Sequence, residues 1–468
     1  MSRQLPQEWR DEQGNLRELP ALARDPSAPQ VHIRSYRVIT PLFGGGVEPQ
    51  QADPITTVRA SEVRGQLRFW WRATCAGRYG PDGLAQMKQA EDALWGSTKS
   101  QSLVEMEVRN VNEGTLIRNL TSSPRDPFLG DPIKSPISYA AFPLRRTPER
   151  PVPGGLRFGV TFDLAITLPT DDKLRNDVLA ALWAWETFGG IGARTRRGFG
   201  ALHCHAVHGV TEGGPWLPPT KSPQAVKQWL TELFTQFVEP GTGPAEVPRL
   251  SLQRGCRIGS SEKVQEFASD GRPVSNEARL EKLLVDNQLP REKIAELLPA
   301  LIVWYYPLAK LREFRQQRRN NAQGRPYGRS FWPEPDEIRW RFPEGFRGRH
   351  SLPAPANRRR ANKFPRAVFG LPILFQFKDN ELETTTLQGV HHDRLASPLI
   401  LRPLVCADET LVSLAIVLSA PEFPPDGLEL KNAPDKTKIE LDRLTPAEAN
   451  FPPLNGQTDV IKAFLDTL

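Results

Sequence analysis

Cysteine is scarce and scattered in this chain. Cys75, Cys204, Cys256 and Cys406 are the only four in 468 residues. No two form a CxxC pair, which excludes a zinc ribbon and a disulfide framework. They read as reduced thiols of a cytoplasmic protein. The stretch from Met1 to Arg10 is polar, without the apolar segment of a secretory signal. No apolar run is expected to span a bilayer. Catalytic signatures are missing too: there is no GxSxG, no HExxH and no paired-carboxylate pattern. Gly44-Gly45-Gly46 is not followed by the lysine and hydroxyl residue of a phosphate-binding P-loop, and His391-His392-Asp393 has no partnered nucleophile. His203, His205 and His208 would place His203 and His205 on one face of a strand, but no second ligand cluster accompanies them. Neither a metal nor a cofactor is expected.

What is plentiful is proline, with 45 residues, which points to many loops and extended connections. Lysine and arginine number 61 against 54 acidic residues, a net charge of +7 that permits a nucleic-acid partner without requiring one. The length suffices for two or three domains.

Val31 to Thr40 is rich in β-branched residues and predicts a strand. Ser61 to Gly77 predicts a helix, with Val63, Leu67, Trp70 and Trp71 as its apolar stripe and Arg64, Arg68 and Arg72 four apart on a neighbouring face. A short helix ending near Trp95 and a strand from Leu103 to Val108 follow. Residues 119–153 read as a long, partly extended connection. Leu156 to Leu168 alternates cleanly and predicts one strand. Asp171 or Asp172 caps a helix whose apolar side is Leu174, Val178, Leu182 and Trp185, with Gly189 at a left-handed C-terminal cap. Ala201 to Val207 predicts the closing strand. This order fits a ferredoxin-like split βαβ unit with insertions.

Between the last helix and that strand lies Gly189 to Gly200, GGIGARTRRGFG. Gly190, Gly192 and Gly198 allow close backbone approach, and Arg194, Arg196 and Arg197 supply forked donors for phosphate. The loop precedes a strand instead of opening a helix, which excludes the dinucleotide-binding fingerprint. Its tail, Arg197-Gly198-Phe199-Gly200, begins like the RNA-recognition RNP1 pattern, which Ala201 then breaks. A polyanion holder is the expectation, against a solvated glycine-rich turn.

Further on, a helix over about 223–237 sits between two linker-like stretches, and two helical segments over 276–306 are separated by Pro290. Residues 307–366 are polar and basic. They contain Arg312, Arg315, Arg318, Arg319, Arg325 and Arg329, then Arg358, Arg359, Arg360, Lys363 and Arg366, interleaved with Phe314, Tyr327, Phe331 and Trp332. Basic residues for phosphates and aromatics for bases suit a single strand; a solubilising insert is the alternative. Strands are expected at 367–377, 397–405 and 411–418.

Three stretches together carry a family resemblance. Ile39 to Gly46 (ITPLFGGG), Arg64 to Arg72 (RGQLRFWWR) and the loop at 189–200 resemble the RAMP superfamily of CRISPR proteins, and more narrowly the first RAMP subunit of the Cmr (type III-B) effector complex. Phe369 to Ile373 and Arg394 to Ile400 resemble its C-terminal half. The resemblance implies an α+β chain of two ferredoxin-like (RRM-like) domains with helical and irregular insertions. The divisions are an N-terminal arm (1–30), a first domain (31–212), a linker with one helix (213–248) and a second domain (249–468). It implies a noncatalytic, cytoplasmic subunit of a ribonucleoprotein in antiviral defence. Its partners would be CRISPR RNA, target RNA and other RAMP subunits, and it would contact the 3′ part of the CRISPR RNA or the target paired with it. Arg64, Arg68 and Arg72, with Arg194, Arg196 and Arg197, are the implied RNA contacts. The alternative in the same superfamily is an endoribonuclease that processes CRISPR RNA, with His203, His205 or His208 as general base.

Overall fold

The computed structural model describes residues 31–44, 56–117, 136–142, 155–209, 212–259, 265–267, 273–318, 330–342, 363–377, 384–431, 439 and 444–468. The expected N-terminal arm lies outside the described residues, as do Arg319, Arg325, Tyr327, Arg329 and Arg358 to Arg360 of the basic stretch.

The first unit runs β1 (Val31–Val38), β2 (Leu42–Phe43), α1 (Ala60–Cys75), α2 (Leu84–Trp95), β3 (Met106–Asn112), β4 (Thr115–Ile117), α3 (Pro136–Ala140), β5 (Leu156–Phe158), β6 (Thr161–Thr167), α4 (Asp172–Phe188) and β7 (Leu202–His208). Its main sheet is antiparallel with order β3-β6-β1-β7. Counting only these strands and α1 and α4 gives a βαββαβ unit with the first strand central, as the sequence predicts. Alternation divides the sheet into two faces. His32, Arg34, Tyr36 and Val38 of β1 are buried on the inner face, while Arg37 is exposed on the outer one. On the inner face Arg34 Nε donates to Glu186 of α4 at 2.7 Å, and Tyr36 Oη donates to the same carboxylate at 2.7 Å. Burial works against the Arg34 charge, and Glu186, with Tyr36 and Cys204 adding to it, offsets that cost.

Several expectations are corrected in detail. The single strand expected over 156–168 is two strands in different sheets, β5 pairing with β2 and β4, and β6 with β1 and β3. Gly159, at φ +70°, makes the break. Leu156 and Phe158 of β5 are buried, as are Phe162, Leu164 and Ile166 of β6, so the apolar alternation runs on unbroken across the turn. Gly189 has φ −91° and is not a left-handed cap. Asp171 does cap α4, accepting from the Leu174 amide at 2.9 Å. Most of the connection expected over 119–153 lies outside the described residues; its described part holds the short helix α3.

Helix α5 (Pro223–Phe237), expected within a linker, packs onto the first core: Phe237 stacks 5.5 Å from Trp183, and Phe234 meets the same ring edge-on. The second unit continues with β8 (Cys256–Gly259), β9 (Gln265–Phe267), β10 (Pro273–Ser275), α6 (Asn276–Asp286), α7 (Arg291–Gln316), α8 (Glu334–Arg341), β11 (Ile373–Phe375), β12 (Thr385–Gly389), β13 (Leu399–Val405), β14 (Leu411–Val417), β15 (Leu428–Lys431) and α9 (Val460–Leu465). One of its two described three-stranded sheets is β13-β14-β8, antiparallel, with α7 packed upon it. Helix α7 runs ten residues past the expected end because its apolar spacing persists through Trp304, Leu308, Leu311 and Phe314. By length and composition alone it is long and apolar enough to cross a membrane. Most of it is buried inside the protein, as in a core helix.

Candidate nucleic-acid interface

Helix α1 forms as its stripe predicts: Val63, Leu67, Trp70 and Trp71 are buried against α4, where Trp70 lies 6.0 Å from the Phe188 ring. The neighbouring arginine face is not left to solvent. Arg64 donates to the carbonyls of Trp95 and Val104 and to Ser102 Oγ. Arg68 pairs with Glu91 at 2.6 Å and Asp92 at 3.2 Å and donates to the Gly96 carbonyl. Arg72 shares Glu91, also at 2.6 Å. Glu91 is buried, so two guanidinium groups neutralise one desolvated carboxylate and fasten α1 to α2.

The glycine-arginine loop is the place where the two units meet. A Cβ on Gly190 would stand 2.7 Å from the Gly200 carbonyl oxygen, and one on Gly192 2.5 Å from that of Phe43. Gly198, at φ +75°, lies so close to the second unit that a Cβ would stand 2.6 Å from the Leu401 oxygen and 2.7 Å from the Trp304 ring. The amides of Ile191, Gly192, Ala193, Arg197, Gly198 and Gly200 all donate within the protein. The glycines thus let protein backbone approach protein backbone, and side chains are what the loop offers outward.

Its three arginines differ. Arg197 is buried and donates to the carbonyls of Leu399, at 2.9 Å, and Phe369, at 3.2 Å. Burial, with Arg194 and Arg315 adding to it, pushes its guanidinium down to about 9, so it stays charged at neutral pH. Arg196 donates to the Ser397 carbonyl and lies 5.5 Å over the Phe69 ring. Arg194 is exposed, in left-handed conformation at φ +63°, and donates to the Ala140 carbonyl at 2.9 Å.

A fourth arginine joins them from far along the chain. Arg315, on the last turn of α7, has its Cζ 5.8 Å from the Tyr139 ring and 5.4 Å from the Phe369 ring. Arg194 and Arg315 therefore meet at α3, and Arg197 and Arg315 meet at Phe369. Among the described residues no carboxylate pairs with Arg194, Arg196, Arg197 or Arg315, and Arg315 Nε is buried without a partner. Four like charges held together without counter-charge repel one another, and an anion placed among them relieves that repulsion.

The basic stretch of the sequence divides. Arg315 enters this cluster, and exposed Arg318 lies one turn further on. Arg366 pairs with buried Glu334 at 3.2 Å, and Lys363 with Glu448 at 2.9 Å. Phe314 and Trp332, expected as partners for bases, are instead core, their rings 5.4 Å apart. His203 is buried and His205 exposed on the outer sheet face, their rings 6.2 Å apart. Among the described residues no three His, Cys, Asp or Glu side chains gather as a metal-binding group. The four cysteines are free thiols.

Residues 35–203 match the model of the RAMP superfamily. The chain is 27% identical over 179 residues to the CRISPR system Cmr subunit Cmr1-2 of Pyrococcus furiosus, covering 36% of this chain and 92% of that subunit. It is 30% identical over 150 residues to subunit Cmr1-1 of the same organism, covering 31% and 40%. Among solved structures, apo Cmr1 from Pyrococcus furiosus aligns over 86% of this chain and 94% of its own at 19% identity and a TM-score of 0.41. A chain of the Type III-B Cmr-beta complex bound to cognate target RNA aligns over 93% and 100% at 12% identity and a TM-score of 0.44. Over residues 35–203 the chain is similar to the RAMP superfamily, and its sequence is similar to the Cmr1 subunits of the Cmr CRISPR system.

Proposed function

We propose that this chain is a noncatalytic RNA-binding subunit of a type III-B CRISPR effector ribonucleoprotein. It works in the cytoplasm beside other RAMP subunits and contacts the 3′ part of the CRISPR RNA or the target RNA paired with it. The observation that carries this reading is the convergence of Arg194, Arg196, Arg197 and Arg315 without a carboxylate partner among the described residues. Arginine forks suit phosphate oxygens, and phosphate contacts carry no sequence preference. A subunit that serves many guide sequences needs that indifference. The similarity to subunits named for the Cmr system supports the assembly part of the reading. The second unit supports a second ferredoxin-like domain: β8, α7, β13, β14 and α9 follow one another, with sheet order β13-β14-β8 matching β3-β6-β1 of the first.

The test is the double variant Arg194→Gln/Arg315→Gln, which spares Arg196 and Arg197 because they tie the two units together. RNA affinity of the purified chain should fall, and the slope of log affinity against log salt should become shallower by about two, one for each phosphate that no longer meets a guanidinium. An unchanged slope and affinity would count against the reading. Incubation with repeat RNA tests the noncatalytic part: specific cleavage abolished by His205→Ala would establish the endoribonuclease instead.

A further inference from the structure

Helix α1 carries a glycine in mid-course. Gly65 lies in the second turn of a well-packed helix, where glycine weakens folding about fivefold relative to alanine. Of the described glycines, Gly65 alone combines the absence of a positive φ with empty space where a Cβ would stand. The residue is exposed, and a Cβ would meet nothing within 4 Å. Neither backbone geometry nor packing against the protein therefore requires a glycine here.

At 3.6 residues per turn, Gly65 falls between Arg68 on one side and Phe69 on the other. Arg68 is held to Glu91 and Asp92, on the α2 side. Phe69 is half-buried, and the Arg196 guanidinium stands over its ring. Glu62, three residues before Gly65, accepts from the Gly192 amide at 2.5 Å. The bare helix surface thus opens between the fastening to α2 and the glycine-arginine loop, next to Arg196. That guanidinium keeps donors beyond the one that meets the Ser397 carbonyl, and they suit a phosphate. A glycine lets another backbone come into direct contact with the chain. We propose that the sugar–phosphate backbone of bound RNA lies directly on α1 at Gly65, with Arg196 holding an adjacent phosphate, and that the missing side chain is what admits it. The proposal rests on the RNA-binding reading above and adds the surface over which the strand passes.

The experiment uses the full chain, a labelled, unstructured RNA oligomer and the variants Gly65→Ala and Gly65→Leu. Both variants should unfold at higher denaturant, because alanine and leucine are better helix formers and the added atoms meet no protein. Both should nevertheless bind RNA more weakly, Gly65→Leu by about tenfold and Gly65→Ala by less, because the side chain takes the space of the strand. A glycine that served only the fold could not give a gain of stability with a loss of ligand. Binding at wild-type strength by Gly65→Leu overturns the proposal. So does a lowered unfolding midpoint in Gly65→Ala, which would mean that the glycine serves the fold. In either case Arg194→Gln/Arg315→Gln decides the wider reading: weakened binding by that double variant leaves the RNA-binding reading standing, and wild-type binding removes it.

Discussion

The guanidinium of Arg402, on β13, donates to the carbonyl of Gly189 at 2.6 Å, across 213 positions of sequence. A second bond reaches the Leu202 carbonyl at 2.8 Å. Arg402 is fully buried, and burial pushes it down to about 9, with distant Glu186 opposing the shift. It ties the end of α4 and the start of β7 to the second unit, as Arg197 does from the other side through Leu399 and Phe369.

Arg402→Met should therefore destabilise the whole chain. It removes the buried charge, which partly offsets the loss, but takes the guanidinium donors from the Gly189, Leu202 and Pro403 carbonyls, for a net cost of about 3 kcal/mol. Denaturant unfolding read by tryptophan fluorescence checks this; an unshifted midpoint would mean that the bonds contribute nothing.

Arg68→Gln should separate stability from RNA binding. The change removes the ion pairs to Glu91 and Asp92, of which Glu91 is buried, and should cost about 2 kcal/mol. The salt slope of RNA binding should stay at the wild-type value, because this guanidinium is committed within the protein. A slope shallower by about one would assign Arg68 a phosphate after all.

Much of the first unit was legible because its signals are local. The stripes of α1 and α4 and the alternation of β1, β6 and β7 each lie within one element. What was not legible is non-local. The partners of Arg68 lie 23 and 24 residues ahead, outside any helical spacing rule, so its face reads as solvated or as ligand-binding alike. Arg197 finds the Leu399 carbonyl 202 residues away. The loop and the arginines near 315 each look basic in the sequence, but nothing there says that they meet at α3. The interruption at Gly159 is hidden because apolar residues recur at every second position on both sides of it.

Acid should weaken the fold through two histidines. Burial pushes both His32 and His203 down to about 4 from the usual 6.5, with Arg34 and Arg175 adding to it for His32 and His205, Arg37 and Arg402 for His203. The folded state thus binds fewer protons than the unfolded one between these values. The stability that these groups contribute is fully present above about pH 6.5 and is lost as pH falls towards about 4, on the order of 3 kcal/mol for each. Thermal melts across that range should show the loss, and His203→Gln should flatten its part of it. An equally steep acid loss in the variant would place the effect elsewhere.

Gly198 offers the sharpest test of how the loop joins the units. At φ +75° an alanine adopts a strained backbone, and its Cβ would meet the Leu401 carbonyl and the Trp304 ring well inside contact distance. Strain and overlap together should cost about 3 kcal/mol. The overlap lies on the seam between β13, α7 and the loop, so relief comes most readily by moving the second unit away. That motion would also pull Trp304 Nε1 from its 2.7 Å bond to the Arg197 carbonyl and carry Arg315 away from Arg194. Gly198→Ala should accordingly lose RNA affinity together with stability, although it changes no charge, whereas Arg402→Met, measured well below its melting temperature, should bind as the wild type does. If Gly198→Ala binds RNA normally while folded, the arginines at 194 and 315 do not need the seam to act as one site.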